Sequence, residues 1–332
     1  VVGVLRGDQK GRTVAWRADI DALPIDEQLE LPFASVNSGV MHACGHDGHT
    51  AIALTLADIL AARRAELPGT VVFIFQPAEE VVSGAKPMID AGVLDDPRVE
   101  TVLGLHLSAR DPTGEVVVRP GPSAASADFF DIEVTGKGGH GALPHLSIDP
   151  ITVAAHILIG MQELVAREIP ATETAVLTVG QIEAGNKHNI IPVNAFLRGS
   201  LRTYNRVVRD QVVERLGTFV SRIAQAYRAE ARLHLIGEFC PAVENDVDIT
   251  ERVRLGAVAE MGEAAVSEGT PIMASDDMSL FLQERPGCYF RVGAGFAGEV
   301  ITHHQPSFRI DEESLRIGLR IALRSVLDAL QA

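Results

Sequence analysis

Residues 70–80, TVVFIFQPAEE, begin with an unbroken apolar run and end in two glutamates. An apolar run without polar alternation is typical of a strand buried on both faces, as in a parallel sheet covered by helices. Working outward, residues 13–17 and 101–107 (TVLGLHL) predict two further strands, and the Ala, Ile and Leu spacing of residues 50–64 predicts a helix. This alternation predicts an α/β fold with a mainly parallel sheet.

The pattern changes after a turn-rich junction at residues 119–123, RPGPS. The next elements predict the order β-α-β-β-α-β, which is the ferredoxin-like arrangement, at residues 128–135, 150–167, 175–182, 195–203, 207–227 and 231–236. Beyond residue 237 the alternation of helices and strands returns, with a helix predicted at residues 251–260, a strand at 288–292 and a helix at 312–330. We therefore predict a discontinuous catalytic domain, 1–122 and 237–332, and an inserted lid or dimerisation domain, 123–236.

Composition narrows the class of protein. The length of 332 residues predicts about two domains of roughly 150 residues each. The composition, 46% hydrophobic and 22% charged, is that of a globular protein. The net charge of −15 argues against a nucleic-acid partner, because phosphate binding draws on clustered Lys and Arg. No apolar run approaches the roughly 20 residues of a membrane span. Three scattered cysteines form no disulfide framework, so we expect a cytoplasmic protein. The sequence starts at Val1 rather than Met, which is compatible with a lost upstream segment.

Residues 42–49, HACGHDGH, are the densest cluster of potential metal ligands. Three histidines, a cysteine and an aspartate offer imidazole, thiolate and carboxylate, a set that suits zinc or a similar borderline metal. The spacing is neither that of a zinc finger nor that of a His-Glu-x-x-His helix. The alternative interpretation is a polar loop before a helix, with Asp47 or Thr50 as the N-cap.

Three further sites follow predicted strands or lie on loops. Glu79 and Glu80 come after Pro77, which ends the strand, so both can face one cleft, one as ligand and one as base. His106 ends a predicted buried strand, and residues 303–304 are two histidines before the last helix. Each alone has a simpler interpretation: an acidic turn, a core histidine, a polar turn. Their joint occurrence predicts a metal site.

The segment Gly136–Gly141, GKGGHG, satisfies the dinucleotide pattern G-x-G-x-x-G. That fingerprint requires the third glycine to open a helix at once. Here Pro144 intervenes and the helix is predicted only near residue 149, so we do not expect nucleotide binding.

The chain resembles the aminoacylase and carboxypeptidase family of dinuclear metallohydrolases. The similarity is greatest to the amidohydrolase branch that contains hippurate hydrolases, auxin-conjugate hydrolases and N-acyl-L-amino acid amidohydrolases. The motifs that carry it run in order through the chain: RADIDALPI (17–25), SGVMHACGHDGHTA (38–51), FQPAEE (75–80), GLH (104–106), GKGGHGALPH (136–145) and NIIP (189–192).

The resemblance implies roles for individual residues. It implies two divalent ions per subunit, zinc or manganese first and cobalt or nickel as alternatives, held by Cys44, His46, Glu80, His106 and His304. His304 is selected because the family writes this element as His-x-Pro. It also implies Glu79 as general base, His140 as a residue that reaches a neighbouring subunit's site in a homodimer, and Asn189 and Arg202 as substrate-binding residues. For Arg202 the alternative is a surface arginine at a strand end.

The function expected from these residues is hydrolysis of the amide bond of an N-acyl amino acid, a small-molecule substrate, by metal-activated water. One alternative is a dipeptidase or carboxypeptidase with the same dinuclear site. Another is a non-catalytic binding relative, which the presence of Glu79 disfavours. The chain departs from many relatives by reading Asp276-Asp277-Met278 where they read Glu-Asp-Phe, and by lacking a helical segment before the first strand. The first departure bears on the substrate pocket.

Overall fold

The computed structural model describes residues 1–331 and divides them into two compact units. Unit 1 combines Val1–Ser123, Val243–Ile272 and the segment from Asp276 onward. Unit 2 combines Ala124–Ala242 with Met273–Ser275.

Unit 1 is built on a seven-stranded sheet. Its strands, in spatial order, are β1 (Val2–Arg6), β3 (Pro68–Gln76), β2 (Gln9–Asp19), β4 (Thr101–Pro112), β15 (Gly287–Gly295), β5 (Val116–Val117) and β14 (Val266–Ser267). The four central strands β3, β2, β4 and β15 are mutually parallel, whereas β1 and β5 run antiparallel to β3 and β15. The predicted α/β fold with a mainly parallel sheet is confirmed. The sequence analysis missed the edge strand β1, whose five residues are alternately exposed and half-buried.

Helices pack on this sheet around an apolar core. They are α1 (His46–Ala62), α2 (Ala85–Asp90), α5 (Val247–Met261), α6 (Met278–Glu284) and α7 (Glu313–Gln331), with single 3-10 turns at Arg64–Glu66 and Glu263–Ala265. The core includes Trp16, Leu56, Phe290 and Ile321, each no more than 1% exposed. Within residues 1–331, no helix has both the length and the apolar composition needed to cross a bilayer.

Helix α1 begins four residues earlier than predicted. Gly45 occupies the N-cap position with a left-handed φ of 89°, a conformation that glycine adopts without steric cost. The alternative interpretation, in which Asp47 or Thr50 is the N-cap, is therefore wrong. As a result, His46 and His49 lie in the first turn of α1, three residues apart, where helix geometry puts both side chains on one face.

Unit 2 contains a four-stranded antiparallel sheet. The spatial order is β12 (Glu230–Cys240), β7 (Ala127–Thr135), β11 (Asn194–Thr203) and β9 (Ala175–Ala184). Helices α3 (Pro150–Gly160) and α4 (Arg206–Ala226) bury Ile157 and Val220 in a core with Phe130 and Leu197. A small ribbon pairs β8 (Gly139–His140) with β10 (Ile190–Ile191). The short strands β6 (Gly121–Ala124) and β13 (Val243–Asn245) form a separate two-stranded sheet, and a 3-10 turn spans Pro144–Leu146.

The predicted helix over residues 150–167 is two elements in the structure. Helix α3 ends at Gly160, and a separate π-helical turn covers Leu164–Glu168. Glycine is a poor helix former, and here its missing side chain matters as well. A Cβ at position 160 would lie 2.5 Å from Cζ of Phe219 on α4. The absence of a side chain at Gly160 therefore allows the close contact with Phe219.

Candidate metal centre

Strand register brings the site residues together at the carboxyl ends of the central strands β2, β3 and β4 of the unit 1 sheet. Asp19 of β2 lies opposite Gln76 of β3, and Arg17 lies opposite Gly104 of β4. His106, two residues beyond Gly104, therefore reaches the same level as Asp19. Carboxyl ends of parallel strands are the usual place for sites in such sheets.

Cys44 is the hub of the cluster. Its Sγ lies 3.6 Å from Nε2 of His106 and 3.5 Å from Nδ1 of His303. The ligand atoms of Cys44, Glu80 and His304 also lie within 4.8 Å of one another. Burial, then the nearby Glu80 and Glu79 carboxylates, raise the pKa of the Cys44 thiol well above its usual value. A thiol in such surroundings becomes a thiolate only beside a compensating cation.

His46 carries the observation that tests the site for a metal. Its Nδ1 lies 3.1 Å from the Asp21 carbonyl oxygen, but its buried Nε2 has no hydrogen-bond partner. Around that nitrogen, carboxylate oxygens of Asp19, Glu79 and Glu80 lie 3.8, 3.9 and 3.9 Å away. Those distances are too long for hydrogen bonds, and Oε1 of Glu80 is equally unpartnered. Buried orphan atoms of this kind require an explanation, and a bound cation supplies one.

The charge around His46 points the same way. Burial disfavours its charged form, yet Asp19, Asp21 and Glu80 outweigh burial and raise its pKa to about 9. A site that stabilises an extra proton so strongly has an excess of negative charge. Imidazole, thiolate and carboxylate donors together fit a divalent transition metal.

Glu79 differs from its neighbour Glu80. The residue is 8% exposed. Burial, followed by repulsion from Asp276, raises the pKa of its carboxyl group well above the usual value, against the opposing effect of Arg17. Perturbed carboxyl groups of this kind are typical of acid–base sites. Both glutamates face the cluster, as predicted from the strand break at Pro77.

Both histidines of the 303–304 pair lie near Cys44. His304, with a left-handed φ of 62°, places Nε2 3.3 Å from Oε2 of Glu80 and is half exposed. His303 is more buried, and its Nε2 accepts a hydrogen bond from the Ala109 N–H at 3.2 Å. Burial lowers the pKa of His303 to about 4, which keeps its imidazole neutral. The proximity of His303 to Cys44 was not predicted.

A buried ionic network beneath the cluster was also missed. The guanidinium of Arg17 is fully buried and donates to Asp19 Oδ2 at 2.7 Å, Gln76 Oε1 at 2.8 Å and Asp277 Oδ1 at 2.9 Å. Oδ1 of Asp276 also lies 3.3 Å from Nη2 of Arg17. Arg17 lies in the motif RADID and Asp277 in residues 275–278, SDDM, and neither segment alone predicts the pairing.

The three remaining predicted residues belong to unit 2. His140 and Asn189 both line an open cavity of about 1020 Å³ around the β8–β10 ribbon, where the Gly141 N–H donates to the Asn189 carbonyl at 2.9 Å. Arg202 on β11 does not line that cavity. Its guanidinium donates to the Met273 carbonyl at 3.1 Å and to Ser275 Oγ at 3.4 Å.

Comparison with known proteins settles the family. Residues 15–328 match the sequence model of peptidase family M20/M25/M40. The chain belongs to this family. The resemblance inferred from its motifs is thereby confirmed.

Named relatives of this M20 protein include several enzymes. It is 40% identical to N-acetylcysteine deacetylase of Bacillus subtilis, over 96% of this chain and 81% of the relative. It is 38% identical to thermostable carboxypeptidase 1 of Saccharolobus solfataricus, over the same shares. IAA-amino acid hydrolase ILR1-like 2 of Arabidopsis thaliana is 39% identical, over 93% of this chain and 70% of the relative.

A solved structure shares the fold. The crystal structure of a Bacillus subtilis protein, described as a dinuclear metal binding peptidase from the M20 family, superimposes with a TM-score of 0.85 at 35% identity. The match covers 99% of this chain and 85% of that one. The mixed α/β architecture of the M20 protein is therefore that of its family.

Proposed function

We propose that this M20 protein is a metal-dependent amidohydrolase that cleaves the amide bond of an N-acyl amino acid. The observation that carries the proposal is the buried Glu79 beside the orphaned Nε2 of His46, at 3.9 Å, within a cluster of metal-ligand types. The similarity to a deacetylase and to an amino acid conjugate hydrolase supports the substrate class.

The residues that would hold two divalent ions are Cys44, His46, Glu80, His106 and His304, with zinc or manganese as the first candidates and cobalt or nickel as alternatives. Cys44 suits a shared position because it belongs to two of the ligand groups. Such ions act as Lewis acids toward the carbonyl oxygen and make a bound water more acidic. The fit rests on the donor set and on the unpartnered atoms of His46 and Glu80.

Glu79 moves the proton. A carboxylate oxygen accepts a proton from the attacking water, and the same group then gives it to the leaving amine nitrogen as the C–N bond breaks. The buried position of Glu79 beside the ligand-type side chains of His46 and Glu80 suits this task.

Unit 2 supplies the remaining roles. Residues 123–236 form a ferredoxin-like lid and dimerisation domain, inserted into the catalytic domain of residues 1–122 and 237–332. Through this domain the protein forms a homodimer, and His140 serves the partner's site and stabilises the oxyanion. Asn189 and Arg202 bind the substrate. The shared cavity of His140 and Asn189 supports a common role, and the planar fork of Arg202 suits a carboxylate.

Subunit mixing tests the shared site. The inactive variants His140→Ala and Glu79→Ala are combined and allowed to exchange subunits. A heterodimer contains one site with native Glu79 and native His140, so activity is expected to return as exchange proceeds. About half of the sites in the heterodimers should be active. Exchange is followed by native mass spectrometry. Complete exchange without recovered activity would contradict the role of His140 in the partner's site.

A substrate panel tests the reaction itself. Purified protein, supplied with Mn²⁺, Zn²⁺ or Co²⁺, is assayed on N-acetyl and N-benzoyl amino acids, on dipeptides, and on longer peptides that a carboxypeptidase would cleave. We expect the N-acyl amino acids to give the highest kcat/KM. Highest activity on peptides would favour the second candidate, a dipeptidase or carboxypeptidase, which the 38% identity to thermostable carboxypeptidase 1 supports.

A further inference from the structure

We propose that His49 is a positioning residue rather than a metal ligand: it links the buried Asp19 to the backbone N–H of Leu107 and so fixes the strand segment that carries His106. This inference rests on the proposed function for the ligand role of His106. His49 lies close enough to Asp19 and His46 to complete a group of potential ligands, so the two roles compete.

Both ring nitrogens of His49 are already in use. The ring is 2% exposed, with Nδ1 2.5 Å from Oδ1 of Asp19. Its Nε2 lies 2.8 Å from the Leu107 nitrogen, which can only donate a hydrogen bond. Nε2 is therefore the acceptor, and Nδ1 carries the proton that it donates to Asp19. A neutral imidazole bonded in this way has no lone pair left for a metal.

Asp19 is held in place from its other side. Its Oδ2 accepts from Nη1 of Arg17 at 2.7 Å, and both side chains are fully buried. Arg17 is in turn tied to Gln76 and Asp277. The two oxygens of Asp19 thus have different fixed partners, which sets the orientation of the carboxylate and of the His49 ring.

Leu107 transmits this order to His106. The Leu107 N–H donates to His49, while Nδ1 of His106 donates to the Leu107 carbonyl at 2.8 Å. With Nδ1 occupied, the lone pair of His106 lies on Nε2, which faces Cys44 Sγ at 3.6 Å. The His49 and His106 rings also meet edge to face, 4.8 Å between centroids. Residues behind metal-binding histidines are known to tune metal affinity in this manner.

The tautomer of His49 is the most direct test, and it needs no variant. We expect the ¹⁵N NMR signals of His49 to show a neutral ring protonated at Nδ1 in the metal-free protein, and to stay so after loading with Zn²⁺. A proton on Nε2, a doubly protonated ring, or a metal-induced shift of the Nε2 signal would overturn the proposal. The measurement on metal-free protein stands even if the proposed hydrolase activity is never found.

Metal titration separates positioning from ligation. Metal-free His49→Ala is titrated with Co²⁺ and followed by visible absorption, with Leu56→Ala as control, a buried residue on the same helix and outside the hydrogen-bonded chain. We expect His49→Ala to bind as many ions as the wild type, with one affinity lowered about 10–100-fold and an altered Co²⁺ spectrum. The Leu56→Ala control should lose stability but keep the wild-type metal affinity and the wild-type Co²⁺ spectrum. Loss of one bound ion in His49→Ala, or an equal change in the control, would overturn the proposal.

Discussion

Glu79→Gln is expected to lower kcat/KM for an N-acyl amino acid by about 10²–10⁴-fold, the range over which a general base contributes, while the bound metal stays at the wild-type level. The amide keeps the size of the side chain but cannot accept the proton from water. Steady-state kinetics and elemental analysis of the same preparation measure the two effects.

The neighbouring variant provides the contrast. Glu80→Gln is expected to lose metal as well as activity, because Glu80 shares a ligand group with Cys44 and His304. Glu66→Gln, on the exposed turn after α1, is the control and should change neither. A metal-depleted Glu79 variant beside a metal-replete Glu80 variant would reverse the two assignments.

Arg17→Met is expected to cost about 3–5 kcal/mol of unfolding free energy, the usual effect of removing one partner from a buried ionic network. Methionine removes the guanidinium from the Asp19 and Asp277 carboxylates, which stay fully buried. Urea unfolding at neutral pH measures the change, and metal-free protein is used so that metal loss does not contribute.

An exposed arginine serves as the matched control. Arg324 pairs with Asp328 at 2.7 Å, but the side chains are 49% and 34% exposed. Arg324→Met should cost no more than about 1 kcal/mol, because solvent screens such pairs. Equal losses for the two variants would show that Arg17 stabilises the fold no more than a surface residue does.

The parts of the site that could be predicted lie next to clear local signals. The apolar run before Gln76 predicted a buried strand, and parallel strands place their carboxyl ends together, which located Glu79 and His106. Cys44 and His46 lie in one short segment that is rich in metal-ligand residue types, and this density marked both as candidates. These inferences need only local periodicity and one topological rule.

The parts that were missed depend on distant pairings or on single backbone torsions. Arg17 and Asp277 are 260 residues apart, and nothing local in either segment reports that both are buried against each other. The early start of α1 depends on the left-handed Gly45. Because α1 starts at His46, the side chain of His49 lies on the helix face toward Asp19. The histidine-rich motif alone does not distinguish this contact with Asp19 from a role as metal ligand.

The most direct test of the central claim is a metal titration of activity. The protein is stripped with a chelator, and hydrolysis of N-acetyl and N-benzoyl amino acids is measured as Mn²⁺, Zn²⁺ or Co²⁺ is added back. If the chain is a dinuclear amidohydrolase, the stripped protein is inactive, and activity rises with added ion and reaches its plateau at two bound ions per chain. Full activity in the verified metal-free protein, or no amide hydrolysis with any of the three ions at saturation, would contradict the account.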